Sequence, residues 1–178
     1  MTFSLLEINR TLLYRQSLLE REPYISASKW VLRLAGLNAQ YSSCPYLSLL
    51  ARCKDFDEKS SDDSLLSGEL IRASLIRGTL HIVTRDQFYE WKEALLPALK
   101  RVVNSFFTDI LERIKINKLA KITKHALIER KLSRRELGLV LSKFFPKEKP
   151  ESLAFAARLL LSLVQIPEKI RFIYPKVP

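Results

Sequence analysis

Between residues 70 and 84 the hydrophobic period of this chain changes from that of a helix to that of a strand, and then changes back. Ile71, Ala73 and Leu75 alternate with Arg72 and Ser74; beyond Arg77-Gly78 comes Thr79-Leu80-His81-Ile82-Val83, rich in β-branched residues. Two such runs around a glycine-containing turn predict a β-hairpin. The flanking sequence is Leu-rich with helical spacing, and 4 Gly against 8 Pro argues against a turn-rich β architecture. The predicted fold class is therefore mainly α with small β-hairpins, in which each hairpin follows a group of helices.

The helices can be placed from their apolar stripes and breaks. Leu5, Ile8, Leu12 and Leu19 share one stripe of a first helix that Pro23 ends. A second is expected from Ser26 through Trp30 towards Gln40, a third from Tyr46 to Cys53, and a polar loop from Asp55 to Ser64. Thr84-Arg85-Asp86-Gln87 has capping-box spacing and opens a helix after the hairpin. Pro97 suits the first turn of a further, basic helix over Leu99 to Ile116. A second series then begins: a helix from about Lys118 to Lys131, a helix opened by the capping box Ser133-Arg134-Arg135-Glu136, and an apolar helix over Ser152 to Val164. A strand is expected at Ile170 to Tyr174. Helices followed by strand structure, twice, is the order of tandem winged helix-turn-helix domains. The expected division is a first winged-helix domain over 1–96, a basic linker helix over 97–117, and a second winged-helix domain over 118–178.

Of the 178 residues, 30 are Lys or Arg and 19 are Asp or Glu, giving a net charge of +11. Residues 1–90 are balanced, so the whole excess lies in the second half; Lys100 to Arg135 is its densest stretch, with three acids, Asp109, Glu112 and Glu129. Such a field concentrates polyanions and is the electrostatic footprint of a nucleic-acid binder. A solvated lysine-rich surface kept positive for solubility is the other reading of charge alone. Cys44 and Cys53 have no neighbouring Cys or His at ligand spacing, so neither a metal nor another cofactor is expected. No apolar run is long enough to span a bilayer and the N-terminus lacks signal-peptide order, which predicts a cytoplasmic protein with reduced thiols.

Several blocks resemble a known family: Ile8-Asn9-Arg10 with Leu12-Leu13 and Arg15-Gln16, then Leu37-Asn38-Ala39-Gln40, Pro45-Tyr46-Leu47, and above all Arg77-Gly78-Thr79-Leu80-His81-Ile82-Val83. In this order they resemble the AlkZ-like winged-helix family, which includes DNA glycosylases of the AlkZ and YcaQ types. The resemblance implies three tandem winged-helix domains around a DNA-binding face, of which this chain corresponds to the first two, without the third. It also implies a catalytic Gln-apolar-Gln or Gln-apolar-Asp motif, matched here by Asn38-Ala39-Gln40. The implied reaction is hydrolysis of the N-glycosidic bond of an alkylated base, in which the enzyme holds a water and stabilises an oxocarbenium-like sugar. Gln40 keeps the amide that can orient water; Asn38 is one methylene shorter than the family's Gln. Read from residues alone, Asn38-Ala39-Gln40 is a polar helix terminus before a loop.

His81 matches the family's histidine and reads as a DNA contact or, slightly preferred, as a hydrogen-bonded structural residue. Arg77 is a phosphate contact or a salt-bridge partner. Lys124, Arg130, Lys131, Arg134 and Arg135 surround a helix start whose N–H groups also favour phosphate. The Ser152–Val164 helix offers base edges only Arg158 and Gln165, so backbone and shape contacts to double-stranded DNA are expected rather than sequence reading. The leading reading is a winged-helix DNA-binding protein related to DNA-repair glycosylases, a monofunctional N-glycosylase (a hydrolase) if active. The alternatives are a non-catalytic DNA-binding or regulatory protein, and a basic helical protein that binds RNA through charge. Nothing in the sequence fixes an oligomeric state.

Overall fold

Short polar sequences start several of the helices in the computed structural model, which describes residues 2–167. Ser4 and Glu7 form a reciprocal capping box at the start of α1 (Leu5–Arg15), and Ser26 accepts from the Lys29 N–H to open α2 (Ala27–Arg33). Thr84 and Gln87 cap each other reciprocally and open α5 (Arg85–Phe106). Ser133 and Glu136 do the same for α8 (Arg134–Ser142). In each case the side chains satisfy N–H groups that a helix start leaves without partners.

The chain folds as two compact units. The first comprises residues 2–73 and 79–88, with the chain returning to it at Gln165. Besides α1 and α2 it holds β1 (Glu22–Pro23), β2 (Leu37–Asn38), α3 (Cys44–Leu50), β3 (Cys53–Lys54) and α4 (Glu58–Leu66). The hairpin strands are β4 (Leu70–Ser74) and β5 (Leu80–Thr84), and β6 (Val164–Gln165) lies at the far edge. The strands form a parallel pair, β1 with β3, and a four-stranded sheet ordered β2-β5-β4-β6. Ala27, Trp30, Val31, Leu37, Leu49, Leu70 and Ile82 build a core of buried side chains in this unit.

The second unit comprises residues 74–78 and 89–164: the hairpin tip, most of α5, and then α6 (Ile110–Arg113), α7 (Ile116–Glu129), α8 and α9 (Pro150–Leu160). Its core is Leu99, Val103, Ile110, Ile114, Leu119, Leu137, Leu141 and the buried side of α9. The tip turns through Arg77 and Gly78, both in the left-handed region. A Cβ on Gly78 would lie 3.0 Å from Val102 Cγ1, so any other residue would press on that side chain as well as strain a left-handed backbone.

The fold is mainly α with small β elements, as the periodicity predicts, and the hairpin lies where it is expected. Four local expectations are corrected. Helix α2 stops at Arg33 instead of running towards Gln40, because Ala35 and Gly36 turn left-handed and their N–H groups return to Leu32 and Val31. The segment 55–64, expected as a loop, carries most of α4. Residues 85–106 are one helix with the exposed Pro97 inside it, so no helix starts there. Finally, 97–117 is no separate linker helix: it supplies Leu99, Val103, Ile110 and Ile114 to the second core. The strand expected at Ile170 to Tyr174 lies outside the described residues.

One buried charge in this core gives a pH-dependent expectation. Lys92 on α5 is almost fully buried; its Nζ donates to the carbonyls of Leu159 (3.0 Å), in the last turn of α9, and Ser74 (3.5 Å). Burial, aided by the charge of Arg158, pushes its pKa down to about 8. Between that value and the ordinary lysine value the unfolded chain holds a proton that the folded chain has lost, so this residue's contribution to stability grows as pH rises. The stability difference between the wild type and Lys92→Met should increase by about 3 kcal/mol from pH 7.5 to 10.5 in urea titrations. Parallel pH curves for the two proteins would refute this account of Lys92.

Candidate functional site

The early end of α2 decides the geometry of Asn38-Ala39-Gln40. Instead of extending a helix, the chain enters β2 at the edge of the four-stranded sheet, antiparallel to β5, with Leu37 opposite Ile82 and Asn38 opposite His81. The Ala39 N–H continues the ladder to the Leu80 carbonyl at 2.8 Å. Side chains alternate along an extended segment. Leu37 and Ala39 are buried accordingly, while Asn38 and Gln40 are exposed. An amide-apolar-amide motif therefore presents two amides side by side from an anchored strand, which a helix terminus would not do. The helix-terminus reading of this motif is overturned.

The two amides are held by the backbone. The Gln40 N–H donates to Asn38 Oδ1 at 3.2 Å, and the Leu80 N–H donates to Gln40 Oε1 at 3.3 Å. Since a backbone N–H can only donate, these bonds fix which end of each amide is oxygen. Each carbonyl oxygen keeps one more acceptor position, and the amide NH₂ groups remain as donors on the exposed face. His81, on the neighbouring strand, is 8% exposed and its Nδ1–H donates to the Thr79 carbonyl at 3.1 Å. It is thus fixed in the sheet beside the motif.

A residue that sequence reasoning passed over holds this arrangement from behind. Arg72 of β4 donates twice to the Ala39 carbonyl, from Nη2 at 2.6 Å and Nε at 3.1 Å, and from Nη1 to Gln165 Oε1 at 2.6 Å. It is half-buried, and desolvation lowers its pKa from the ordinary arginine value. A guanidinium remains charged even so, and its fork can hold one carbonyl at a fixed position. The only hint in the sequence is an arginine alternating with apolar strand residues, the pattern of any solvated strand face.

The structure brings Asn38, Gln40 and His81 together in the first unit. Arg77 belongs to the second, where it is exposed at the hairpin tip, and Lys124, Arg130, Lys131, Arg134 and Arg135 lie exposed on α7, α8 and their connection. Arg134 and Arg135 line a depression of about 400 Å³ with Leu139, Pro150 and Glu151, whereas Lys124 lines a separate, mainly apolar one with Ala120, Leu127 and Leu160. The start of α8 already holds a carboxylate: Glu136 Oε2 accepts from the Ser133 N–H at 2.8 Å, and hydrogen bonds from Ser133 keep that carboxyl below its usual pKa. Helix α9 is buried along Leu153, Ala154, Ala156, Ala157, Leu159 and Leu160, while Glu151 is exposed and Phe155 and Arg158 are partly buried.

A family model described as DNA glycosylase AlkZ-like matches residues 31–174. No curated protein matches the sequence. Among solved structures, Streptomyces sahachiroi DNA glycosylase AlkZ is similar at 24% identity with a TM-score of 0.61, the match covering 91% of this chain and 45% of that one. The chain thus spans less than half the length of that protein, and at this identity the likeness bears on the fold.

Proposed function

The chain belongs to the AlkZ-like DNA glycosylase family, and from that premise we propose that it binds duplex DNA and hydrolyses the N-glycosidic bond of an alkylated base. The observation that carries this reading is the pair of amides, Asn38 and Gln40, presented together from an anchored strand beside His81. The two compact units serve as its tandem winged-helix domains, and Arg77, Arg134 and Arg135 contact phosphates without reading sequence. An alkylated purine leaves as a neutral base carrying the electron pair of the broken C1′–N bond, so no general acid is needed. Water adds to C1′ and releases its proton to solvent. The remaining acceptor positions on Gln40 Oε1 and Asn38 Oδ1 orient that water, which is positional work worth a large share of the barrier.

A second reading, a DNA-binding protein without catalysis, is favoured by the same hydrogen bonds. Both amide oxygens already accept a backbone N–H, and Asn38 reaches one methylene less far than a Gln would. Incubation of the full chain with an alkylated duplex separates the two. Catalysis predicts base release above a buffer control, reduced about 100-fold or more in Gln40→Ala with duplex affinity kept. Binding without release would leave only the second reading. In either case Arg134→Ala with Arg135→Ala should lower the salt dependence of binding by about two counterions' worth of slope. An unchanged slope would remove these residues from the interface.

A further inference from the structure

Helix α9 turns one stripe away from its core: Glu151, Phe155 and Arg158, which share a face at helical spacing. Arg158 is its unusual member. Its guanidinium carbon lies over the Phe155 ring, 5.3 Å from the centroid, and that ring is held in turn against Phe106 and Phe107 at 5.3 and 5.5 Å. Nε is sealed from solvent without a hydrogen-bond partner, whereas Nη1 and Nη2 reach solvent. Among the described residues no carbonyl or carboxylate accepts from this side chain. Aromatic packing therefore positions the guanidinium, and its two terminal nitrogens are free to donate.

The charge around it has one sign. Arg134 and Glu151 line one depression, which brings the start of α8 to this stripe. Desolvation lowers the pKa of Arg158, the charge of Arg134 lowers it further, and no carboxylate opposes them. On the other side, Arg158 acts on Lys92, whose Nζ donates to the carbonyl of the next residue, Leu159. Glu151 is the one acid on the stripe; it lies two turns back, about 10 Å along the helix, and makes no ion pair with Arg134 or Arg135 among the described residues. A desolvated cation without an acid costs stability, and its place in the last turn of α9 offsets only part of that. What compensates such a group is an anion from outside, and phosphate oxygens match the spacing of two guanidinium donors. We propose that Arg158 grips a backbone phosphate of duplex DNA through Nη1 and Nη2, with Arg134 beside it. This rests on the duplex-binding reading above and does not depend on catalysis.

Arg158→Met keeps an apolar stem over Phe155 and removes the charge. In phosphate-free buffer at low ionic strength, the Tm of this variant of the full chain is expected to exceed that of the wild type by about 2 °C or more, because a desolvated cation without a partner is gone. The same variant should bind duplex DNA about 10-fold more weakly, its salt dependence reduced by about one phosphate contact. Opposite signs for stability and binding separate this site from a residue that only completes the packing, for which both would fall. Arg158→Lys should keep the salt dependence yet bind about 3-fold more weakly, since an ammonium lacks the fork. A lower Tm in Arg158→Met, or a duplex affinity equal to the wild type's, overturns the proposal and leaves duplex binding itself standing. It is also overturned if inorganic phosphate, but not duplex, distinguishes the wild type from Arg158→Met, which would make this a site for a free anion. A wild-type chain that binds no duplex removes the proposal together with the reading it rests on.

Discussion

Replacing Gly138 with valine is expected to unfold the second unit at physiological temperature, and alanine at the same position to cost about 2 kcal/mol. Gly138 is buried on α8 where that helix meets the first residue of α9. A Cβ there would lie 2.5 Å from the carbonyl oxygen of Pro150 and 2.9 Å from its carbon. Both neighbours are backbone, at the start of a helix whose buried side is locked into the core by Leu153, Ala156 and Ala157. No rotamer change can make room. Two effects oppose each other: alanine gains about 1 kcal/mol over glycine in a helix interior, whereas overpacking a tight core costs about 1–3 kcal/mol or more. With atoms this close the clash wins, and the two methyl groups of valine enlarge it without adding any helix propensity. Against a total stability of about 5–15 kcal/mol the valine variant has little reserve. Thermal unfolding checks this: Gly138→Ala should lower Tm by about 4–8 °C, and Leu139→Ala, one residue along on the exposed side, should change it little. An alanine variant as stable as the wild type would show that α8 and α9 can separate more easily than their packing implies.

The same contact shows what a sequence can and cannot disclose. Helix starts at Arg85 and Arg134 are legible because capping partners sit three residues apart and need no tertiary information. The hairpin is legible because Ile71 to Val83 changes period around a glycine. Helix α4 is not: Glu58–Leu66 is polar nearly all round, and its buried positions are Ser61 and Ser64, which no hydrophobic stripe marks. The long α5 is misread at Pro97 because proline suits a first turn, and nothing in the sequence says that its missing N–H falls on an exposed side. At the site, Asn38, Gln40 and His81 are identified only through family resemblance. A strand of two residues is too short for alternation to register, and Leu37 continues the apolar spacing of α2. The reversal at Ala35 and Gly36, where a non-glycine residue takes left-handed angles, is what converts a helix end into a sheet edge.

Arg72 extends this point into the chemistry, and its loss is expected to cost function beyond its cost to stability. Its partner is the carbonyl of Ala39, 33 residues away in sequence, and a backbone acceptor leaves no trace in residue identity. Removing the guanidinium in Arg72→Ala leaves that carbonyl without its two charged donors and Gln165 without its partner. Hydrogen bonds to charged groups contribute about 1.5–3 kcal/mol; partial exposure discounts this, and a loss near 2 kcal/mol in urea titrations follows. The consequence for Asn38 and Gln40 is positional. Ala39 lies between them, so a shift of its carbonyl moves both amides, and a displacement of about 1 Å costs on the order of 100-fold in rate. If base release is observed, Arg72→Ala should reduce it by that factor through kcat, with duplex affinity little changed, because Arg72 touches no proposed phosphate contact. Arg72→Lys should restore stability more than rate, since an ammonium replaces the charge but not the two-pronged grip on one oxygen. Gly138→Ala supplies the control: it is destabilised to a similar degree in the other unit, and below its melting temperature it should release base at the wild-type rate. Equal rates in Arg72→Ala and Gly138→Ala would reduce Arg72 to a stabilising residue. A rate loss confined to Arg72→Ala would make it the positioning residue of the amide pair.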